Sequence, residues 1–348
     1  MRFLVDFDRG DLIRFWITPD NPTAIGRVAV SVEGRRVAEV PATIIDPNIR
    51  AFGWHATGQC TYEITQAEVP DLQSLPQLEI HDIDTNLLIH RRVPAEGLCQ
   101  NKVLLLNTSI KPETVIQGLM HRHFQQSYFG LGKLTEDMLR CIFDSTTIAS
   151  SFLSGSIVVP RYESNLPPDR ILTSTLIHDP HTEMATRLLW LKARAEAAAD
   201  PGQAWRFGRL AEAATFVAEY DLLDVKSLKR LFRLLPEPAY HLLYNPLTRQ
   251  LGTRLPDDRV HPGNSIVAVE ILSRIGIVGH RDSFEAFVTS MLDRLEIADT
   301  VPAPEPIPAD VVDLAGRLRQ VRAVDGMLTF DVIMSDAVRS SVVKAWTS

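Results

Sequence analysis

Residues 171–187, ILTSTLIHDPHTEMATR, decide how the rest of the chain is read. A β-favouring, largely apolar run ends in His178-Asp179-Pro180, and a helical pattern then opens with Met184, Leu188, Leu189 and Leu191 on its apolar side. This is the pattern of a buried parallel strand that enters a tight turn and then a helix. It places Asp179, His181 and Thr182 around a helix N-terminus, where free N–H groups and the helix dipole favour an anion.

Outward from this stretch the same alternation continues. Lys102–Leu106 carries the continuous apolar run of a strand buried on both faces. Helices are expected over Thr114–Phe124 and over Thr135–Phe143, the latter with Thr135 as N-cap. Ile157–Val159 reads as a short strand ended by Pro160. Leu188–Leu235 is helical with a break at Asp200-Pro201-Gly202, and Asp224 caps a basic helix bearing Lys226, Lys229, Arg230 and Arg233. Further helices are expected over Ile266–Ile275 and Ser283–Leu295. A stiff proline-rich spacer follows at Val301–Pro308, and two closing helices lie near Ala309–Val324 and Ser335–Ala345. Strands alternating with helices argue for parallel βαβ units.

Residues 1–93 have a different rhythm. Short alternating runs at Phe3–Phe7, Leu12–Ile17, Val28–Val32, Val37–Val40, Cys60–Ile64, Leu78–Ile80 and Leu87–His90 are separated by turn residues, with Glu33-Gly34 set inside a hairpin. The expectation is an antiparallel β-sandwich that either binds a polysaccharide or protein partner or simply supports the second domain. Trp16 and Trp54 are expected in its core. Residues 94–100, PAEGLCQ, form the expected linker to an α/β domain over 101–348.

Composition narrows the function classes. The chain has 348 residues, 45% hydrophobic and 23% charged, with a net charge of −7. That charge argues against nucleic acid as the main partner. No apolar run reaches the length of a membrane span. The opening MRFLVDFDRGD is too acidic for a secretory leader. Cys60, Cys99 and Cys141 show no paired metal spacing and read as free thiols of a cytoplasmic protein. No Ser-His-Asp elbow, dinucleotide fingerprint or zinc pattern is present. Homo-oligomerisation stays open.

Three short motifs carry a family resemblance from about residue 102 onward. The first is the strand ending in His178-Asp179-Pro180 with Thr186 at the eighth position. The second is Asn245-Pro246-Leu247-Thr248-Arg249-Gln250-Leu251-Gly252, and the third is Ile277-Val278-Gly279 followed by Phe284. Together they resemble the P-loop sulfotransferases of the carbohydrate type. In that family an Arg-Asp-Pro turn and a Ser eight residues after the Arg hold the 3′-phosphate of 3′-phosphoadenosine-5′-phosphosulfate. The second and third motifs are similar to an Asn-x-x-Thr-Arg-x-Leu stretch closed by Gly and to a late strand-plus-helix.

The departures from that pattern fall on chemistry. The family's phosphosulfate loop is glycine-rich, so that backbone N–H groups wrap the donor and a lysine neutralises the leaving group. Here the matching residues are Ser109-Ile110-Lys111-Pro112-Glu113-Thr114, with Pro112 removing a donor, Glu113 adding negative charge and Lys111 displaced by one place. The family's Gly-His is replaced by Gly155-Ser156, and serine is too weak a base to deprotonate a sugar hydroxyl. His178 stands in place of the arginine and is a weaker phosphate clamp.

The resemblance therefore implies a retained fold with eroded chemistry: a degenerate, sulfotransferase-like pseudoenzyme. Its expected role is a non-catalytic binding or scaffolding component linked to cell-surface polysaccharide, with no cofactor. The alternative is an active 3′-phosphoadenosine-5′-phosphosulfate-dependent sulfotransferase. In that case Lys111, Thr114, His178, Thr186 and Arg249 hold the donor, and Glu136 or His121 is the base. A transferase using another nucleotide-linked donor is a third reading. Bland readings stand beside the sharp ones. Glu136-Asp137 also suits a solvated helix start, His178 and His181 a capping role, and the basic helix an amphipathic element of the core.

Overall fold

The computed structural model describes residues 1–146 and 148–347. Its first eight strands are β1 (Arg2–Asp8), β2 (Ile13–Thr18), β3 (Arg27–Val32), β4 (Arg35–Pro41), β5 (Ile44–Ile45), β6 (Gln59–Ile64), β7 (Leu78–Asp82) and β8 (Leu88–Arg92), with a short helix α1 (Pro47–Ala51) after β5. They form two four-stranded antiparallel sheets, β1-β2-β6-β5 and β4-β3-β7-β8. Period-two alternation explains which side chains face inward. Ile13, Phe15 and Ile17 of β2 are buried, and Phe15 stacks on its cross-strand partner Tyr62 with ring centroids 4.8 Å apart. Glu33 and Gly34 both have positive φ, as a two-residue hairpin turn requires. Asp8 of β1 ties the two sheets together, accepting from His90 Nε2 at 2.9 Å and Arg92 Nε at 2.8 Å on β8.

The second pattern begins at β9 (Lys102–Asn107), every residue of which is buried. After it come α2 (Thr114–His121), β10 (Gln126–Phe129), α3 (Glu136–Asp144), β11 (Ser151–Gly155), α4 (Val159–Tyr162), β12 (Ile171–Ile177) and α5 (Pro180–Lys192). The remaining elements are α6 (Ala195–Ala199), α7 (Leu210–Ala218), α8 (Val225–Arg233), α9 (Glu237–Leu243), α10 (Pro246–Gly252), α11 (Pro262–Arg274), β13 (Ile277–His280), α12 (Phe284–Arg294), α13 (Ala309–Leu318) and α14 (Arg322–Thr347). A parallel five-stranded sheet runs β10-β11-β9-β12-β13. The fold is thus mixed α/β, with antiparallel sheets first and a parallel sheet with helices after.

Three local expectations are corrected. The strand is Ser151–Gly155 rather than Ile157–Val159, where Pro160 instead sits in the first turn of α4. Proline is tolerated there because the first-turn N–H groups have no intrahelical acceptor. Gln126–Phe129, for which no strand was expected, pairs with β11; its two polar residues, Gln126 and Ser127, are buried. Trp54 does not join the core. It is 36% exposed, whereas Phe15 beside the half-buried Trp16 is fully buried.

The chain divides into two compact units, residues 1–104 with 117–154, and residues 105–116 with 155–348. The core of the second is helical. Leu188 and Leu191 of α5 pack with Val217, Leu228, Leu231, Leu243, Leu314, Leu318 and Leu328 of α7, α8, α9, α13 and α14. Asp224 caps α8 through Lys226 N and Ser227 N, and Leu228 and Leu231 are buried, so the basic helix is an amphipathic element of this core. Among the described residues no helix is long and apolar enough to cross a membrane, and all three cysteines are free.

Candidate functional site

The site to be tested lies in the second unit, where the loop after β9 faces the start of α5. Asp179 is the N-cap of α5, with Pro180 in its first turn. Its carboxylate accepts from Thr182 N and Thr182 Oγ1, both at 2.9 Å, and from Arg319 Nη2 at 2.8 Å. Burial pushes the Asp179 carboxyl up, but the bonds from Thr182 and the Arg319 charge outweigh it and hold it low. The helix N-terminus expected to attract an anion is therefore served by the chain's own carboxylate.

The loop itself is held by Glu183. Ser109 Oγ donates to Glu183 Oε2 at 2.6 Å and Ile110 N donates to Glu183 Oε1 at 2.8 Å. Arg187, one turn further along α5, donates from Nε to Glu183 Oε1 at 2.7 Å, from Nη1 to Leu242 O at 3.0 Å and from Nη2 to Thr108 O at 3.3 Å. A buried carboxylate is tolerable only when paired and hydrogen-bonded, and Glu183 is both. A carboxylate thus takes up both a hydroxyl and a backbone N–H of the loop, one on each oxygen, as a bound oxyanion would otherwise do.

The sequence candidates have the following surroundings. His178 Nε2 lies 2.7 Å from Glu113 Oε1, both largely buried. The His178 carbonyl accepts from Ser335 Oγ, which lies 3.1 Å from Nε2 of the fully buried His280. Asp282 N donates to His280 Nδ1, so the His280 proton resides on Nε2 and points at Ser335. Thr114 Oγ1 donates to Glu305 Oε2 at 3.3 Å, and Thr186 Oγ1 donates to Thr182 O at 2.8 Å. Arg249 is 9% exposed and its Nη1 donates to the carbonyls of Pro256 and Asp258.

Lys111 and Thr186 do meet, on a cleft of about 590 Å³. Its charged lining is Lys111, Lys192, Arg194 and Asp310, with the Trp190 ring beneath the Arg194 guanidinium at 4.0 Å. This cleft can attract an anion and offer it a ring to lie against. Among the described residues Asp310 is its carboxylate, and neither Glu136 nor His121 lines it.

Glu136 and His121 belong to the other unit and serve different neighbours. Glu136 opens α3 and accepts from Arg140 Nη2 at 2.8 Å, as expected of a solvated helix start. His121 Nδ1 lies 3.0 Å from Ser127 Oγ; burial and the nearby Arg91 charge lower its pKa.

Sequence reasoning missed Glu183, Arg187 and Trp190. The Glu183–Arg187 spacing was visible as an i,i+4 pair, which is most often a solvent-facing ornament of a helix. The Asn245–Gly252 motif proves to be a packing device. Asn245 Oδ1 accepts from Phe330 N and Asp331 N of α14, while Asp331 accepts from Leu247 N, Thr248 N and Thr248 Oγ1 at the start of α10. Gly252 abuts the Asn264 carbonyl of α11 so closely that no side chain fits. No protein-family model and no curated protein matches the chain.

Proposed function

We propose that this chain is a sulfotransferase-like protein whose donor loop is closed from within. It acts as a non-catalytic binding or scaffolding component, with cell-surface polysaccharide as its kind of partner. The strand order supports the fold side of this reading. Connections leave β9 toward β10 on one side and β12 toward β13 on the other, so the crevice for a phosphorylated ligand falls at the ends of β9 and β12. The observation that carries the functional side is the Glu183 carboxylate bonded to Ser109 and Ile110 in that crevice. A doubly charged donor placed there would meet a buried negative charge instead of free N–H groups. The polysaccharide rests on the resemblance alone, and three free thiols suit a cytoplasmic setting.

The active-sulfotransferase reading draws on Lys111 and Thr186 sharing one cleft with Trp190. Thermal denaturation with adenosine 3′,5′-bisphosphate separates the two. A ligand bound only by the native state raises the melting temperature. No shift at millimolar nucleotide is expected; a rise at micromolar nucleotide overturns the non-catalytic reading and restores the enzyme.

A further inference from the structure

The first unit carries a cavity of about 960 Å³ that the donor site does not use. One wall is aromatic. Trp16 alternates with the core residues Phe15 and Ile17, so its ring stands on the other face of β2. Trp54, just past α1, lies 6.0 Å from Trp16 between centroids, and Phe52 continues the row 5.1 Å from Trp54. Phe52 is 66% exposed and Trp54 36%, although such rings are ordinarily drawn into cores. The rest of the lining is mostly polar, and Arg2 covers one face of Trp54. Arg2 lies 4.7 Å over the Trp54 ring and donates to Asp137 Oδ1 at 3.2 Å, while Arg140 holds Glu136.

Indoles and paired carboxylates bordering one cavity suit a ligand with apolar C–H faces and hydroxyl edges, and a pyranose ring has both. Indole faces cover the first, and carboxylate oxygens accept from the second. Charge selects within that class. Asp20, Glu136, Asp137 and Asp144 still outnumber Arg2, Arg140 and the Met1 ammonium paired with Asp20, so the lining disfavours sulfated or uronic-acid chains. The volume is at the large end for small-ligand clefts and accommodates more than one ring.

We propose that this cavity is a binding site for a neutral oligosaccharide, with Trp54 and Trp16 as the platform and Asp137 and Glu136 as hydroxyl acceptors. The inference rests on the binding-component reading for the kind of partner, but not on the state of the donor loop. The test titrates the full chain with cellotetraose, maltotetraose, tetra-N-acetylchitotetraose and a heparin tetrasaccharide, by calorimetry and tryptophan fluorescence. At least one neutral sugar is expected to bind with a sub-millimolar Kd. Trp54→Ala and Asp137→Asn should each weaken it about tenfold or more with an unchanged melting temperature. Heparin tetrasaccharide should give no heat. Silence from all three neutral sugars at millimolar concentration, tighter binding of the heparin fragment, or indifference to both substitutions overturns the site. A rise in melting temperature with adenosine 3′,5′-bisphosphate would instead remove the non-catalytic reading and leave this site standing.

Discussion

Glu183 shows how one side chain decides what a loop can do. Its oxygens satisfy Ser109 and Ile110, and Arg187 neutralises it. Glu183→Ala leaves these donors and a largely buried guanidinium without their acceptor. The expected loss is on the order of 3 kcal/mol, the usual result of breaking a buried pair from one side, and the urea midpoint reads it. An unchanged midpoint would show that the carboxylate contributes nothing to holding the loop. At this scale the sequence was only half legible. Thr186 and Lys111 were singled out only through the family resemblance, and they share a cleft. Glu183 was passed over because its partners lie more than seventy positions upstream, and pairing at that distance leaves no periodic trace.

At the scale of elements, β12 and α5 were legible because every local signal agreed: an apolar run, an Asp N-cap, a first-turn proline and spaced leucines. β10 and β11 were not, since Gln126, Ser127, Ser151 and Ser154 read as loop residues, yet all are buried within strands. Ser154 shows how the fold tolerates this, its hydroxyl accepting from Gln117 Nε2 at 2.9 Å. The α10 motif makes a sharper case, because residues that resemble a family signature turn out to join helices. Gly252→Ala would press a methyl group into the Asn264 carbonyl and should cost about 2 kcal/mol through overpacking. Chemical denaturation checks this, and an Ala variant as stable as the parent would show that α10 and α11 can move apart freely.

Across the whole molecule, pattern alone distinguished an antiparallel beginning from a parallel continuation. Period two with frequent turns marks the former, and continuous apolar strands between helices mark the latter. Pattern could not say which charges stitch the sheets together. Asp8 is such a charge: burial pushes its carboxyl up, but bonds from His90, Arg92 and Gly10 prevail and hold it well below the ordinary 3.8. A depressed folded-state pKa means that the native state binds fewer protons than the unfolded chain. The stabilisation is therefore present above pH 3.8 and drains away as pH falls below it. Asp8→Asn should melt earlier at neutral pH and show a flatter acid limb in a series of thermal scans. Parallel acid limbs for the two proteins would remove Asp8 from the account.

The backbone passes from one compact unit to the other at Leu104–Leu105, returns at Ile116–Gln117 and leaves again at Ser154–Gly155. Neither body is a single run of sequence. No lone scission separates them cleanly, and a recombination event with one breakpoint at the proline- and glycine-bearing stretch before β9 would carry the whole of the second unit together with a severed piece of the first.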